Sequence, residues 1–138
     1  MDSFNLKRFI DAQNPVYDQV CSELKDGMKR SHWMWFIFPQ IAGLGSSATA
    51  AKFAISSLEE AKEYLQHPVL GARLVECTEL VNRISGKSVH DIFGYPDDLK
   101  FHSSMTLFAK AAPENPVFKQ AIQKYFGGKH DDRTEELL

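Results

Sequence analysis

Apolar side chains recur along this chain at intervals of three and four residues, a spacing that predicts a succession of amphipathic α-helices. One such face lies early in the chain and consists of Tyr17, Val20, Cys21, Leu24 and Met28. The longest helix is predicted between Pro68 and Gly86, with a buried stripe of Leu70, Leu74, Cys77, Val81 and Ile84. Clear strand patterns are nearly absent: only residues 33–38, an apolar run, could form a strand, and a single strand would have no partner.

Capping residues and prolines indicate where these helices begin and end. Asn14-Pro15 and Asn115-Pro116 each begin a helix, because Asn caps free N–H groups and Pro is tolerated in the first turn. Ser57 followed by Glu60 predicts a capping box, and Pro68 ends that helix at the preceding residue. Further helices are predicted over 4–12, 46–53, 88–93 and 132–138, and from residue 97 onward. We therefore expect an all-α fold, a single compact multihelical domain over residues 1–138 with about six to eight short helices.

The composition is that of an ordinary globular protein, with 43% hydrophobic and 25% charged residues and a formal net charge of −2. This balance argues against a dedicated nucleic-acid binder. The two cysteines, Cys21 and Cys77, are expected to be buried thiols rather than a disulfide. Because the chain has neither an apolar signal region nor an apolar run of about 20 residues, we expect a cytoplasmic protein without membrane contact, a monomer or a weak homodimer.

The segment 31–45 is the most distinctive part of the sequence, since it contains both tryptophans, Trp33 and Trp35. Lys29 and His32 lie close to them in the chain. Tryptophan attracts cations and stacks on planar rings, so one interpretation is a pocket that holds an anionic, ring-bearing ligand. The other interpretation is that the segment crosses the core with both indoles buried. The two are compatible, because pockets are mostly apolar with a few polar anchors.

A glycine-rich turn follows the aromatic segment and contains Gly43, Gly45 and Ser46. Glycines let backbone N–H groups approach an anion, so this turn is a candidate ligand wall. This turn lacks the Gly-Lys-Ser/Thr of a P-loop and the third glycine of a dinucleotide fingerprint. A plain loop that ends in a helix cap is the alternative.

A third candidate wall is the polar set on the helix that begins at residue 97. Lys100, Ser103 and Ser104 are spaced i, i+3 and i+4 and therefore share a face, which is either a pocket wall or a solvated surface. Candidates for general acid–base chemistry are His32, Asp98 and His102. Arg73 is a further candidate for binding a carboxylate or phosphate. The histidines show no metal-ligand spacing, so we expect neither a metal nor a cofactor.

Three segments together resemble the bacterial domain-of-unknown-function family 1810: residues 29–45, 67–74 and 97–108. The resemblance extends to the Phe-x-x-Ala-Gln run at 9–13 and to Gly128, Asp131 and Thr134 near the other end, so that it covers nearly the whole chain. It implies a compact bundle of α-helices. It implies no particular biochemical activity.

These features lead to two functional hypotheses. The first is a binding or catalytic pocket for a small anionic, ring-bearing or nucleotide-like metabolite, with walls at 29–35, 43–47 and 100–104. The candidate ligand-binding residues are Lys29, His32, Trp33, Trp35, Gly43, Gly45, Ser46, Arg73, Lys100, Ser103 and Ser104. The second is a protein-interaction or adaptor module without a small ligand, which would expose part of the aromatic segment as a hot spot.

Overall fold

Ten α-helices account for the regular structure of residues 2–138, the part of the chain that this computed structural model describes. They are α1 (Lys7–Gln13), α2 (Tyr17–Lys25), α3 (Met34–Ile37), α4 (Ala48–Lys52), α5 (Leu58–Gln66), α6 (Leu70–Asn82), α7 (Val89–Phe93), α8 (Asp97–Ala111), α9 (Pro116–Phe126) and α10 (Asp132–Leu137). The predicted all-α fold is confirmed. The helix count exceeds the expected six to eight, because one-turn helices such as α3 are too short to show a periodicity.

Helix α8 is the central element, and it packs against α5, α9, α10, α7 and α3. Its fifteen residues make it longer than α6, which has thirteen. The prediction that the longest helix follows Pro68 is therefore wrong. Helix α6 begins at Leu70 and not at Pro68 as predicted. The ring nitrogen Nδ1 of His67 accepts hydrogen bonds from the backbone N–H groups of Val69 and Leu70, so Pro68 belongs to a turn.

The core is rich in aromatic rings that meet edge to face, at a tilt or, for Phe93 and Phe101, stacked. Phe101 of α8 lies 5.0 Å from Phe38 at 90° and 4.8 Å from Phe93. At the other end of α8, Phe108 contacts Tyr64 of α5 and Phe118 of α9. One continuous core therefore runs the length of α8.

The predicted capping box at Ser57 is only half formed. The Ser57 hydroxyl accepts a hydrogen bond from the backbone N–H of Glu60 at 3.2 Å. The Glu60 carboxylate, however, accepts from the N–H and hydroxyl of Ser56 and from Arg8 rather than returning to the Ser57 N–H. A complete capping box forms instead at Ser88, the N-cap of α7.

Helix α2 is shorter at both ends than the sequence predicts. It begins at Tyr17 without a side-chain cap, so Asn14 does not cap it. It ends at Lys25, because Gly27 adopts a positive φ of 71° and turns the chain away. Met28 is consequently 46% exposed, and its predicted place in the buried face is wrong.

No helix among residues 2–138 is both long enough and apolar enough to cross a membrane.

Candidate functional site

A cleft of about 430 Å³ lies where the glycine-rich turn, the first half of α8 and the start of α10 meet. We call it the Trp35 cleft. Trp35 and Gln40 form one wall, and residues 44–47 form the next. Lys100 and Ser103 of α8, with Asp131 and Arg133 near the start of α10, belong to the same lining. The cleft therefore brings together five of the predicted ligand-binding residues: Trp35, Gly45, Ser46, Lys100 and Ser103.

Backbone pairing holds the glycine-rich turn in place over α8. Ala42 N–H donates to the Ile55 carbonyl and Ile55 N–H donates to the Gln40 carbonyl, both at 2.8 Å, so the loop is closed at its base. A Cβ atom at Gly45 would lie 2.7 Å from the Cβ of Ala50. The turn can lie this close to α4 only because residue 45 has no side chain.

An ion-pair row places a positive charge beside the Trp35 ring. The ammonium of Lys100 lies 4.4 Å from the Trp35 ring centroid and 3.3 Å from an oxygen of Asp97. The other Asp97 oxygen is 2.7 Å from the ammonium of Lys29, whose side chain is only 8% exposed. Asp97 thus neutralises Lys29 in the interior, and the row as a whole leaves one positive charge at the cleft.

Helix α10 contributes a second cation and a carboxylate that is already engaged. Arg133 is exposed and has no ion-pair partner among residues 2–138. Asp131 caps α10, and one of its oxygens accepts from the Thr134 N–H at 3.0 Å, the Thr134 hydroxyl at 2.6 Å and the Ser103 hydroxyl at 3.2 Å. The lining residues Lys100, Arg133 and Asp131 give the cleft a net positive charge.

The two tryptophans have different environments. Trp33 is 1% exposed, and its indole N–H donates to a Glu23 oxygen at 2.9 Å. Its ring packs against Phe38 and Phe93. Trp35 is half-buried and lines both the Trp35 cleft and a neighbouring cavity of about 220 Å³. The core interpretation therefore describes Trp33, and only Trp35 offers ring surface to a ligand.

Glu23 positions the segment that leads into this site, and the sequence analysis missed it. Its buried carboxylate accepts from the N–H groups of Arg30 and Ser31, the Ser31 hydroxyl, the Trp33 indole and the Gln19 amide. Burial by itself raises the pKa of Glu23, but these hydrogen bonds outweigh it and lower the pKa to about 2. The sequence did contain a signal for Glu23. An acidic residue three positions after Val20 falls on the apolar face of α2, where a buried carboxylate can be expected.

The predicted polar face of α8 is divided between two environments. Ser103 lines the cleft, whereas Ser104 is fully buried and lies outside the cleft lining. Both serines are buried, so the alternative of a solvated helix surface is wrong for them: α8 is covered by neighbouring helices on several sides. Gly43 lies in the neighbouring 220 Å³ cavity and not in the cleft itself.

The three acid–base candidates do not meet at the cleft. His32 is exposed and is not part of its lining. Asp98 lies 3.4 Å from a ring nitrogen of His90. His102 stacks on Phe126 with a centroid distance of 3.8 Å, and its Nε2–H donates to a backbone carbonyl. The residues that line the cleft are suited to binding an anion rather than to proton transfer.

Arg73 also lies outside the cleft, on α6. Its guanidinium donates to the Gln13 side chain at 3.2 Å and lies 4.7 Å from the Tyr17 ring centroid. These contacts join α6 to α1 and α2, so the structure gives Arg73 a packing role.

Two larger cavities lack the combination of a tryptophan ring and a net positive charge that is found at the Trp35 cleft. One, of about 890 Å³, lies between α5, α6 and the end of α8; it is mainly apolar, and its Lys110 is already paired with Glu135 at 3.0 Å. The other, of about 870 Å³, is lined by Asp2, Glu59 and Glu63, whose charges disfavour an anion. Among residues 2–138, no group of three or more His, Cys, Asp or Glu side chains is arranged to hold a metal ion.

Comparison with known proteins identifies the family but no activity. The sequence profile of the family described as "Protein of unknown function (DUF1810)" matches residues 3–138. The crystal structure of the conserved hypothetical protein Rv1873 from Mycobacterium tuberculosis is 59% identical, with a TM-score of 0.98 over 99% of this chain and 98% of that one. No curated protein matches. The chain therefore belongs to the DUF1810 family, as its sequence motifs predict.

Proposed function

We propose that this member of the DUF1810 family binds a small anionic molecule that carries a planar ring, and that it does so in the Trp35 cleft. The observation that carries this proposal is the position of the Lys100 ammonium, 4.4 Å from the centroid of an indole that lines the same cleft. A ligand ring placed against Trp35 has its charged group within reach of Lys100. The ligand ring would stack on the indole of Trp35, and its negative charge would pair with the Lys100 ammonium.

The remaining lining residues suit the same class of ligand. Arg133 supplies a second cation, and its planar guanidinium matches a carboxylate or phosphate. The hydroxyls of Ser46 and Ser47 provide further donors, and the exposed Leu99 provides apolar surface. A cavity of about 430 Å³ lies within the range of small-molecule sites, and a mononucleotide is a ligand of suitable size.

We infer binding rather than catalysis as the primary activity. His32, Asp98 and His102 all lie outside the cleft lining, and the Asp131 carboxylate is engaged by Ser103 and Thr134. A general base has to reach the proton that it abstracts, and none of these groups is placed to do so in the cleft.

A thermal-shift experiment with paired probes tests the proposal. Adenosine 5′-monophosphate carries both ring and charge, adenosine carries the ring alone, and inorganic phosphate carries the charge alone. We expect the monophosphate to raise Tm most, because a ligand at a hundred times its Kd stabilises the fold by about 2.7 kcal/mol, a shift on the order of 5–10 °C for a domain of this size. If none of the three shifts Tm, and neither pyrophosphate nor benzoate does so, the proposal is wrong.

Lys100→Met is expected to weaken binding of the monophosphate by tenfold or more, corresponding to a loss of about 1.4 kcal/mol. The substitution keeps an unbranched side chain as far as the ε position, and Asp97 keeps Lys29 as its partner, so loss of the Lys100–Asp97 pair is expected to cost about 1 kcal/mol of stability. Isothermal titration calorimetry measures the change. Lys119→Met, at an exposed lysine of α9, is the matched control and should bind like the wild type. Equal affinities for the two variants would contradict the role of Lys100.

A second candidate function is recognition of a protein partner on the same face. Its support is the exposed apolar rim, where Tyr95 is 75% exposed and Leu99 is 53% exposed. Exposed aromatic and apolar residues of this kind favour protein contacts. This alternative would be favoured if no ligand in the thermal-shift experiment changed Tm and if the Tyr95→Ser variant no longer bound a protein partner that the wild type binds.

We place the protein in the cytoplasm, as a monomer or weak homodimer. The two cysteines are free thiols, which a reducing compartment maintains.

A further inference from the structure

Two cysteines that are 56 positions apart in the chain belong to one polar cluster on the side of the molecule formed by α2 and α6. Cys21 lies in α2 and Cys77 in α6, and the two helices pack against each other. The Cys21 Sγ lies 3.8 Å from a Glu76 carboxylate oxygen, and the Cys77 Sγ lies 3.8 Å from the Tyr17 hydroxyl. The Tyr17 hydroxyl donates to that same Glu76 oxygen. Both thiols therefore touch one hydrogen-bonded Tyr–Glu pair.

The two thiols differ in their access to solvent. Cys77 is buried, whereas Cys21 is half-buried and lines a cavity of about 300 Å³ together with Lys25 and Arg83. A molecule as small as hydrogen peroxide can reach the Cys21 sulfur through this cavity. The expectation that both cysteines are buried is thus wrong for Cys21.

The two thiols also differ in acidity. The neighbouring Cys77 thiol is the largest cause that lowers the pKa of Cys21 to about 7, and Tyr17 and Lys25 add to it, while partial burial and the charge of Glu76 oppose it. The Cys21 thiol and burial together raise the pKa of Cys77. The thiolate is the reactive form of cysteine, so Cys21 is the more nucleophilic of the two at neutral pH.

We propose that Cys21 and Cys77 form a redox-active pair, in which a peroxide oxidises Cys21 and Cys77 then closes a disulfide between α2 and α6. The proposal concerns a different surface from the Trp35 cleft and does not depend on the function proposed there. The second sulfur lies in the same cluster and is shielded from solvent. Such an arrangement favours a disulfide over further oxidation of Cys21.

The chemistry balances with peroxide as the oxidant. The Cys21 thiolate attacks one oxygen of hydrogen peroxide, the O–O bond breaks, and the other oxygen leaves as hydroxide and is protonated to water. This step oxidises the sulfur by two electrons to a sulfenic acid. The Cys77 sulfur then attacks the Cys21 sulfur, the S–O bond breaks, and hydroxide leaves with the Cys77 proton as a second water. The products are one disulfide and two waters.

The test uses the purified full chain and a small molar excess of hydrogen peroxide. We expect both thiols to disappear together, the intact mass to fall by two hydrogen atoms, and non-reducing peptide mapping to give one fragment that joins Cys21 to Cys77 within a monomer. Dithiothreitol should reverse the change. Wild-type protein in which Cys21 is oxidised to a sulfinic acid while Cys77 stays free would overturn the proposal, as would a disulfide that links two chains.

Two single variants assign the roles of the sulfurs. In Cys77→Ser, Cys21 should accumulate as a sulfenic acid that dimedone traps, with no intramolecular disulfide. In Cys21→Ser, Cys77 should react at least tenfold more slowly than Cys21 does in the wild type. Equal rates for the two cysteines would contradict the order of the steps. Far-UV circular dichroism establishes that each variant is folded before it is compared.

Discussion

Glu23→Ala is expected to lower the free energy of unfolding by about 3 kcal/mol or more, since hydrogen bonds to a buried charged group contribute about 1.5–3 kcal/mol each. The Glu23 carboxylate accepts five hydrogen bonds, from Gln19, Arg30, Ser31 and Trp33. Alanine leaves the Trp33 indole N–H buried without its acceptor. Urea denaturation measures the change.

Glu79→Ala is the matched control for this substitution, because the Glu79 carboxylate is about half exposed and only 4.0 Å from Arg83. Its stability should remain within about 0.5 kcal/mol of the wild type. If Glu23→Ala were as mild as Glu79→Ala, the carboxylate would not be holding the segment that leads into Trp33.

The same carboxylate predicts a pH dependence. The folded protein lowers the pKa of Glu23 from 4.5 to about 2, so the folded state favours the ionised form. Its contribution to stability is therefore fully present above about pH 5 and is lost as the pH falls towards 2. The stability difference between the wild type and Glu23→Gln should shrink over this interval. A difference that stays constant between pH 5 and pH 2 would contradict the low pKa.

Gly71→Ala is expected to destabilise the protein by about 3 kcal/mol, at the upper end of the cost of overpacking. A Cβ atom at residue 71 would lie 2.1 Å from the backbone carbonyl oxygen of Leu65 and 2.9 Å from its carbon. Backbone atoms at the junction of α5 and α6 cannot move aside as a flexible side chain would. Relief therefore requires α6 to shift away from α5. Thermal unfolding gives the change in Tm.

Ala72→Ser, at the exposed next position of α6, is the control for Gly71→Ala and should leave stability within about 0.5 kcal/mol of the wild type. Gly71→Ala with the stability of the wild type would contradict the close approach of α6 to the Leu65 carbonyl.

The helices were predictable where their signals are local. Helix α9 has its predicted start, an Asn115 cap that accepts from the Val117 N–H, and it ends at a left-handed Gly127. Helix α2 was predicted too long, since apolar spacing continues to Met28 while Gly27 ends the helix with a positive φ. A positive φ ends a helix even where the apolar spacing continues, and a single glycine is the only sign of it in the sequence.

The cleft was predictable in part. The glycine-rich turn, Trp35 and the start of α8 were expected to be ligand walls, and the structure brings them together. Arg133 was not expected there, because it reaches the cleft only through the packing of α10 on α8. The difference in burial between Trp33 and Trp35 also depends on tertiary structure. The buried Glu23 carboxylate holds one indole in the core, and sequence spacing does not reveal that contact.

The most direct test of the Trp35 cleft is a two-dimensional ¹H–¹⁵N spectrum recorded during titration with adenosine 5′-monophosphate. The chain has only two indole N–H signals, and the two rings lie in different environments. We predict that the Trp35 indole and the backbone amides of residues 45–47 shift with a common saturation curve, while the Trp33 indole stays in place. Shifts that cluster on α5 and α6, or no shifts at millimolar ligand, would contradict an anion site at Trp35.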